Sequence, residues 1–199
     1  SFTTAGEVYA NNVARWDGSA WHPLASGTDG GVAILHVHSH GTLYAGGAFT
    51  TAGGVSANNI ARWDGSAWHP VGSGTNGYVL SMATDNQGNL YAGGSFTAIG
   101  GLSTGNVGRW DGATWRSLGN GLNGLVRALE FDSSGNLYAG GRFSSASDVA
   151  AANIARWDGS AWTALGNGAD DELKALSYQG GGSLYAGGWF SHAGNKPSA

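Results

Sequence analysis

Leu43-Tyr44-Ala45-Gly46-Gly47-Ala48-Phe49, followed downstream by Arg62-Trp63-Asp64-Gly65-Ser66-Ala67-Trp68, is the stretch that decides the fold. The Leu-Tyr-Ala-Gly-Gly string returns at Leu90, Leu137 and Leu184, each step 47 residues long. Arg-Trp-Asp-Gly begins at Arg15, Arg62, Arg109 and Arg156, again 47 apart. The phenylalanine recurs at Phe2, Phe49, Phe96, Phe143 and Phe190. Self-similarity at a fixed period with no insertion is the mark of a tandem-repeat protein. The repeats run 2–48, 49–95, 96–142 and 143–189, with a partial fifth copy at 190–199, inside one domain spanning 1–199.

Each repeat divides into four short apolar runs. In the second repeat the first is Val79–Thr84, and Asp85-Asn86-Gln87-Gly88-Asn89 reads as a hairpin turn with glycine where φ is positive. Leu90–Ala92 is the second strand and stops at Gly93-Gly94. A glycine-rich connection leads to the third, Asn106–Trp110. Asp111-Gly112 turns the chain into the fourth, Thr114–Leu118. Strands of this length with frequent turns and no helical period predict an all-β fold. Four strands in each repeat of 40–50 residues predict a β-propeller blade. The chain opens on strands three and four and closes on strands one and two. The outer halves are therefore expected to complete a fourth blade as a split blade, within one chain or by self-association of the terminal strands of two.

Composition narrows the function classes. Charged residues make up only 11% of the chain, while 37 of its 199 residues are Gly. The 9 Trp, 7 Tyr and 6 Phe recur in phase and supply the apolar surface that a disordered Gly-rich chain would lack. The net charge is −4 and no basic stripe is present, so nucleic acid is not an expected partner. No apolar run reaches membrane-spanning length, and no membrane insertion is expected. With no cysteine there is no disulfide, thiol nucleophile or Cys-ligated zinc. The Asn/Thr/Ser/Gly/Trp-rich, Lys-poor composition points to an extracellular or cell-surface protein.

The shared positions have structural readings. The Gly-Gly pairs suit backbone packing too close for a Cβ. Trp16, Trp21 and their copies are expected to fill the wedge between blades. Arg15 and Asp17, two apart on a strand, share a face and are candidates to pair. Asn12, Asn59, Asn106 and Asn153 suit turns bonded from side chain to backbone.

The string Gly46-Gly47-Ala48-Phe49-Thr50-Thr51-Ala52-Gly53-Gly54 running on to Arg62-Trp63-Asp64-Gly65 and Trp68 resembles kelch-type propeller blades. It also resembles the repeats of large exported bacterial and fungal surface proteins. The hairpin Asp132-Ser133-Ser134-Gly135-Asn136-Leu137-Tyr138-Ala139 is similar to the blades of tachylectin-type lectins, whose Trp-rich sugar-binding segment is not matched. These resemblances imply a propeller and leave the activity open. Two propeller enzyme families do not fit. Galactose-oxidase-like enzymes need a Cys–Tyr crosslink, and there is no Cys. Sialidase Asp boxes need a longer Asp-to-Trp spacing than Asp17-Gly18-Ser19-Ala20-Trp21 offers.

The candidate chemistry is sparse. His36, His38 and His40 alternate, as metal ligands on one strand face do, but His40 falls in the hairpin turn. Asp170-Asp171-Glu172 reads as a solvated acidic loop. Glu130 varies between repeats and has no partner carboxylate nearby in sequence. No catalytic residue, cofactor or metal is expected. The leading expectation is a non-enzymatic interaction or structural module that binds a protein or glycan or associates with itself. A multivalent lectin is the alternative, and a propeller enzyme with a channel-mouth site the second alternative. If a ligand site exists, the loops carrying Tyr9, Asn58, Tyr78 and Asn123 combine amide donors with aromatic rings and are its expected place.

Overall fold

The computed structural model describes residues 1–38, 40–194 and 196–197. A hairpin of β1 (Thr4–Ala5) and β2 (Val8–Tyr9) opens the chain, before a two-stranded half-blade of β3 (Ala14–Trp16) and β4 (Trp21–Pro23). Blade I holds β5 (Gly31–Val37) and β6 (Leu43–Ala48), a small hairpin of β7 (Thr51–Ala52) and β8 (Val55–Ser56), then β9 (Ile60–Trp63) and β10 (Trp68–Pro70). Blade II repeats this with β11 (Tyr78–Thr84), β12 (Leu90–Ser95), β13 (Ala98–Ile99), β14 (Leu102–Ser103), β15 (Val107–Trp110) and β16 (Trp115–Ser117). Blade III follows with β17 (Leu125–Phe131), β18 (Leu137–Arg142), β19 (Ser145–Ala146), β20 (Val149–Ala150), β21 (Ile154–Trp157) and β22 (Trp162–Ala164). A second half-blade, β23 (Leu173–Gln179) and β24 (Ser183–Gly188), precedes the closing hairpin of β25 (His192–Ala193) and β26 (Lys196–Pro197). No helix occurs among the described residues, so none is long and apolar enough to cross a membrane.

Each whole blade is a four-stranded antiparallel sheet in sequence order, with the small hairpin set apart from it. The all-β reading and the four-strand division hold in blades I to III. The small hairpins are absent from the sequence reading. Their strands are two residues long, too short to show alternation, and they lie in what reads as a glycine-rich connection.

The Gly-Gly pair does what close packing requires. A Cβ on Gly46 would come 2.6 Å from Met82 Cε and Val79 Cγ1 of blade II, and one on Gly47 would overlap the Gly31 carbonyl oxygen. The four asparagines adopt left-handed backbone, φ +60 to +64°, and bond the next loop from their side chains, as Asn106 Nδ2 does to the Leu122 carbonyl at 2.9 Å.

The outermost tryptophan of each whole blade staples a seam. Trp68, Trp115 and Trp162 are buried, and their indole N–H groups donate to the carbonyls of Leu24, Val71 and Leu118 at 2.8–2.9 Å. The partner of each Trp lies 44 residues earlier, on the preceding blade or half-blade.

The terminal half-blades stand as separate two-stranded sheets, with no β24–β3 pairing among the described residues. Counting phase shows which strands are complementary. Two expectations about side chains are corrected. Without the β24–β3 pairing, Trp16 and Trp21 are exposed and do not lie in the core. Arg15 does not pair with Asp17 either, because the Asp17 carboxylate caps its own turn.

Candidate functional site

The site is best approached through that turn. In each Arg-Trp-Asp-Gly motif one aspartate oxygen accepts backbone N–H groups two and three residues on. Asp158 Oδ1 takes Ser160 N at 2.9 Å and Ala161 N at 2.8 Å. The Ala161 and Ser160 amides, then the Ser160 hydroxyl, hold the Asp158 carboxyl down at about 2. Backbone amides likewise keep Asp17, Asp64 and Asp111 well below the ordinary carboxylate range, aided by His22, His69 and Arg116. A carboxyl with a lowered folded pKa stabilises the fold above its unfolded pKa, about 4, and loses that contribution as pH falls through the folded value. The difference in melting temperature between wild type and Asp158→Asn is therefore expected to narrow from pH 4 to pH 2. A difference constant across that range would count against the cap.

A second device recurs in the loop before each first strand. Asn123 Oδ1 accepts the Ser144 and Ser145 N–H groups at 2.9 Å, and its amide donates to Ser144 Oγ. Asp29, Asn76 and Asp170 make the matching clamp to Thr50, Thr97 and Ser191. Asn58 is similarly engaged, donating to the Ser73 carbonyl at 3.1 Å. Tyr9 and Tyr78 are exposed. Tyr9 lies on β2 opposite Thr4, and Tyr78 lies on β11 opposite Ser95. The two asparagines thus hold loops together, and none of the five main cavities among the described residues is lined by more than one of the four expected residues.

The histidines separate. His36 Nε2 meets Thr84 Oγ1 at 3.1 Å across the blade I–II seam. The His38 ring stacks on His40 at 5.0 Å and reaches the Gly88 carbonyl. Burial and the neighbouring His38 lower the His36 pKa. Among the described residues no three His, Asp or Glu side chains gather as a metal cluster. Glu130 Oε1 accepts the Tyr178 N–H at 3.0 Å. The acidic loop is not solvated throughout, because the Glu172 side chain is only 6% exposed and takes Arg127 Nε at 2.7 Å.

The arrangement that reading along the sequence misses lies across the strands. In blade II, Ala83, Tyr91, Arg109 and Arg116 are opposite one another in register and form one row across β11, β12, β15 and β16. In blade I the row is His36, Tyr44, Arg62 and His69, and in blade III it is Glu130, Tyr138, Arg156 and Thr163. Only the blade II row carries two guanidinium groups. It faces blade III, where Tyr91 meets Phe131 edge-on at 5.0 Å. Between them lies a cavity of about 380 Å³ lined by Asp85, Gln87, Tyr91, Arg109, Arg116 and Trp157, among others. Burial, then the Asp85 charge, push the Tyr91 phenol up to about 12, so it stays neutral and donates to Asp85. The signal for this cavity was available at position 116, where Arg replaces the His or Thr of the other blades.

Comparison with known proteins bears on the fold. No curated protein matches the chain. Among solved structures, the extracellular domain of a one-component system from B. thetaiotaomicron superposes with a TM-score of 0.54 over 79% of this chain at 11% identity. The chain spans 20% of that protein's length, and at such identity the likeness shows the fold alone. Residues 70–181 match the family described as the Rax2 C-terminal beta propeller domain. That match takes in more than half of the chain, which therefore belongs to the Rax2 C-terminal β-propeller domain family.

Proposed function

We propose that the chain is a non-enzymatic interaction module of an exported or cell-surface protein. In this reading it is a kelch-like propeller of four 47-residue repeats whose terminal half-blades complete one another. The observation that carries the reading is the contrast among equivalent tryptophans. Trp21 is 40% exposed, whereas Trp68, Trp115 and Trp162 are 3–5% exposed. Tyr185 is 59% exposed, against 9% and 6% for Tyr44 and Tyr91. Transferring the register of the whole blades puts Tyr185 opposite Arg15. It also brings the Trp21 indole N–H to the Leu165 carbonyl. A free sheet edge invites such pairing, by its own chain or by a second copy.

The carboxylates favour a non-enzymatic role. Of 13 Asp and Glu, all but Glu7 and Asp148 serve as turn caps, loop clamps, backbone acceptors or ion-pair members. A cell-surface location is supported by the Asn/Thr/Ser/Gly/Trp-rich, Lys-poor composition. A multivalent lectin is the second reading, favoured by the exposed rings of Tyr9 and Tyr78 beside amide-bearing loops.

Light scattering together with acrylamide quenching tests the leading reading. Pairing between copies gives a mass of twice 20.1 kDa or more, and closure within one chain gives 20.1 kDa with Trp21 protected. Either result supports completion of the blade. A 20.1 kDa species whose Trp21 fluorescence stays fully quenchable would sink it.

A further inference from the structure

We infer that the seam between blades II and III is a binding site for a carboxylate-bearing sugar, a uronate unit, held by Arg109 and Arg116 against Trp157. The seam lies between two whole blades, so the inference does not depend on how the half-blades pair.

Two carboxylates at and beside the cavity already have their partners. Asp85 Oδ1 accepts the N–H groups of Gln87 and Asn89, and Oδ2 accepts Asn89 Nδ2 and the Tyr91 hydroxyl. Asp111 accepts Ala113 N, Thr114 N and Arg116 Nε. Both carboxylates are saturated. Arg109 is not. Its Nε is buried with no hydrogen-bond partner, and among the described residues no carboxylate stands within ion-pair distance of it. A partly buried cation without a counter-charge favours an anion that brings one. Arg116 lies directly opposite Arg109 on the neighbouring strand, so two guanidinium groups lean from the same face into one cavity. A pair of arginines lining one cavity suits a carboxylate, which guanidinium groups bind through paired, charge-assisted hydrogen bonds.

The rest of the lining points to a sugar. The Trp157 indole, among the lining residues, is the ring that a sugar would stack on, because the negative quadrupole of an aromatic face attracts the polarised C–H face of a pyranose. Asn86, Gln87 and Ser117 supply amides and a hydroxyl for ring oxygens. A cavity of about 380 Å³ is at the small end for organic ligands, the size for one ring.

The other seams lack this combination. Between blades I and II, His38 stands in the place of Asp85, crosses to the Gly88 carbonyl and stacks on His40. The seam beside β4 carries Arg15 and Trp63, but His22 stands in the place of Arg116. Blade III has Thr163 there, so its Arg156, whose Nε is likewise buried without a partner, has no second guanidinium beside it.

The test is calorimetric titration of the 199-residue chain with digalacturonate and with the matched neutral disaccharide. Wild type is expected to bind the diacid at least tenfold more tightly. Arg116→Thr, which installs the residue blade III already carries, is expected to weaken that binding at least fivefold with an unchanged melting temperature. If that variant melts early, Arg109→Lys serves instead, because it keeps the charge and loses the fork, and it too should weaken binding. Equal affinity for the neutral sugar would overturn the inference, as would an unchanged affinity in the variants. Inorganic sulfate competing as well as the uronate would reduce the site to a bare anion hole and overturn the sugar assignment. Neutral-glycan binding lost in Tyr78→Ala and untouched by Arg116→Thr would uphold the lectin reading while overturning this one.

Discussion

Trp115→Ala is expected to destabilise the chain by about 3–5 kcal/mol, the range for deleting a buried aromatic side chain. The indole is packed against backbone from three segments. A Cβ on Gly100, Gly72 or Gly108 would meet Trp115 atoms at 2.6, 2.9 and 3.4 Å. Gly72 follows β10 of the preceding blade, Gly100 sits in the β13–β14 hairpin, and Gly108 is on β15. The indole N–H also satisfies the Val71 carbonyl at 2.9 Å. Truncation therefore opens a cavity where two blades and a hairpin meet, and no neighbouring glycine has a side chain to refill it. The same change at Trp21, which is exposed, is expected to cost under about 1 kcal/mol in a monomer. Urea unfolding of the two variants reads the difference directly. A large cost at Trp21, approaching that at Trp115, would mean the first half-blade is already covered in solution, which is what blade completion requires.

The contrast between those tryptophans also shows what reading the chain in order delivers. The period of 47 makes the blade legible, since every repeat must solve one packing problem with one set of residues. Gly46, Gly47 and Asn59 were readable because a forbidden Cβ or a left-handed backbone restricts the residue types allowed. The meeting of the terminal strands was not readable. Leu184-Tyr185-Ala186 carries the same string whether or not a partner lies beside it. The blade II–III cavity was hidden for a related reason. Tyr91, Arg109 and Arg116 become one row only when the registers of three strands are known. Identical positions describe the scaffold, and the departures from identity mark where two blades differ. Two such departures are Arg116 in place of His or Thr, and Glu172 in place of Leu125 or Tyr78.

The second of these departures supports the other large prediction. Arg127→Ala is expected to cost about 3 kcal/mol, the low end for breaking a buried ion pair by removing one partner. Glu172 is the buried member, with its side chain 6% exposed, and Arg127 is 39% exposed. Removing the arginine leaves the carboxylate in the seam between β17 and the terminal half-blade with its guanidinium partner gone. Removing the glutamate instead leaves a cation that can still reach water, so Glu172→Ala is expected to cost less. One repeat earlier the same two positions hold Leu80 and Leu125. The double variant Arg127→Leu/Glu172→Leu restores that apolar pair and is expected to fall within about 1 kcal/mol of wild type, because well-packed apolar residues often replace buried ion pairs without loss. A double-mutant cycle in urea measures the coupling, expected at about 2 kcal/mol. Were Arg127→Ala to cost less than about 1 kcal/mol, Glu172 would be hydrated in solution, as its acidic neighbours Asp170 and Asp171 suggest from sequence. The seam would then depend on Leu173 and Leu176 for its cohesion, the apolar side chains that pack beside Ile154 in the same cluster.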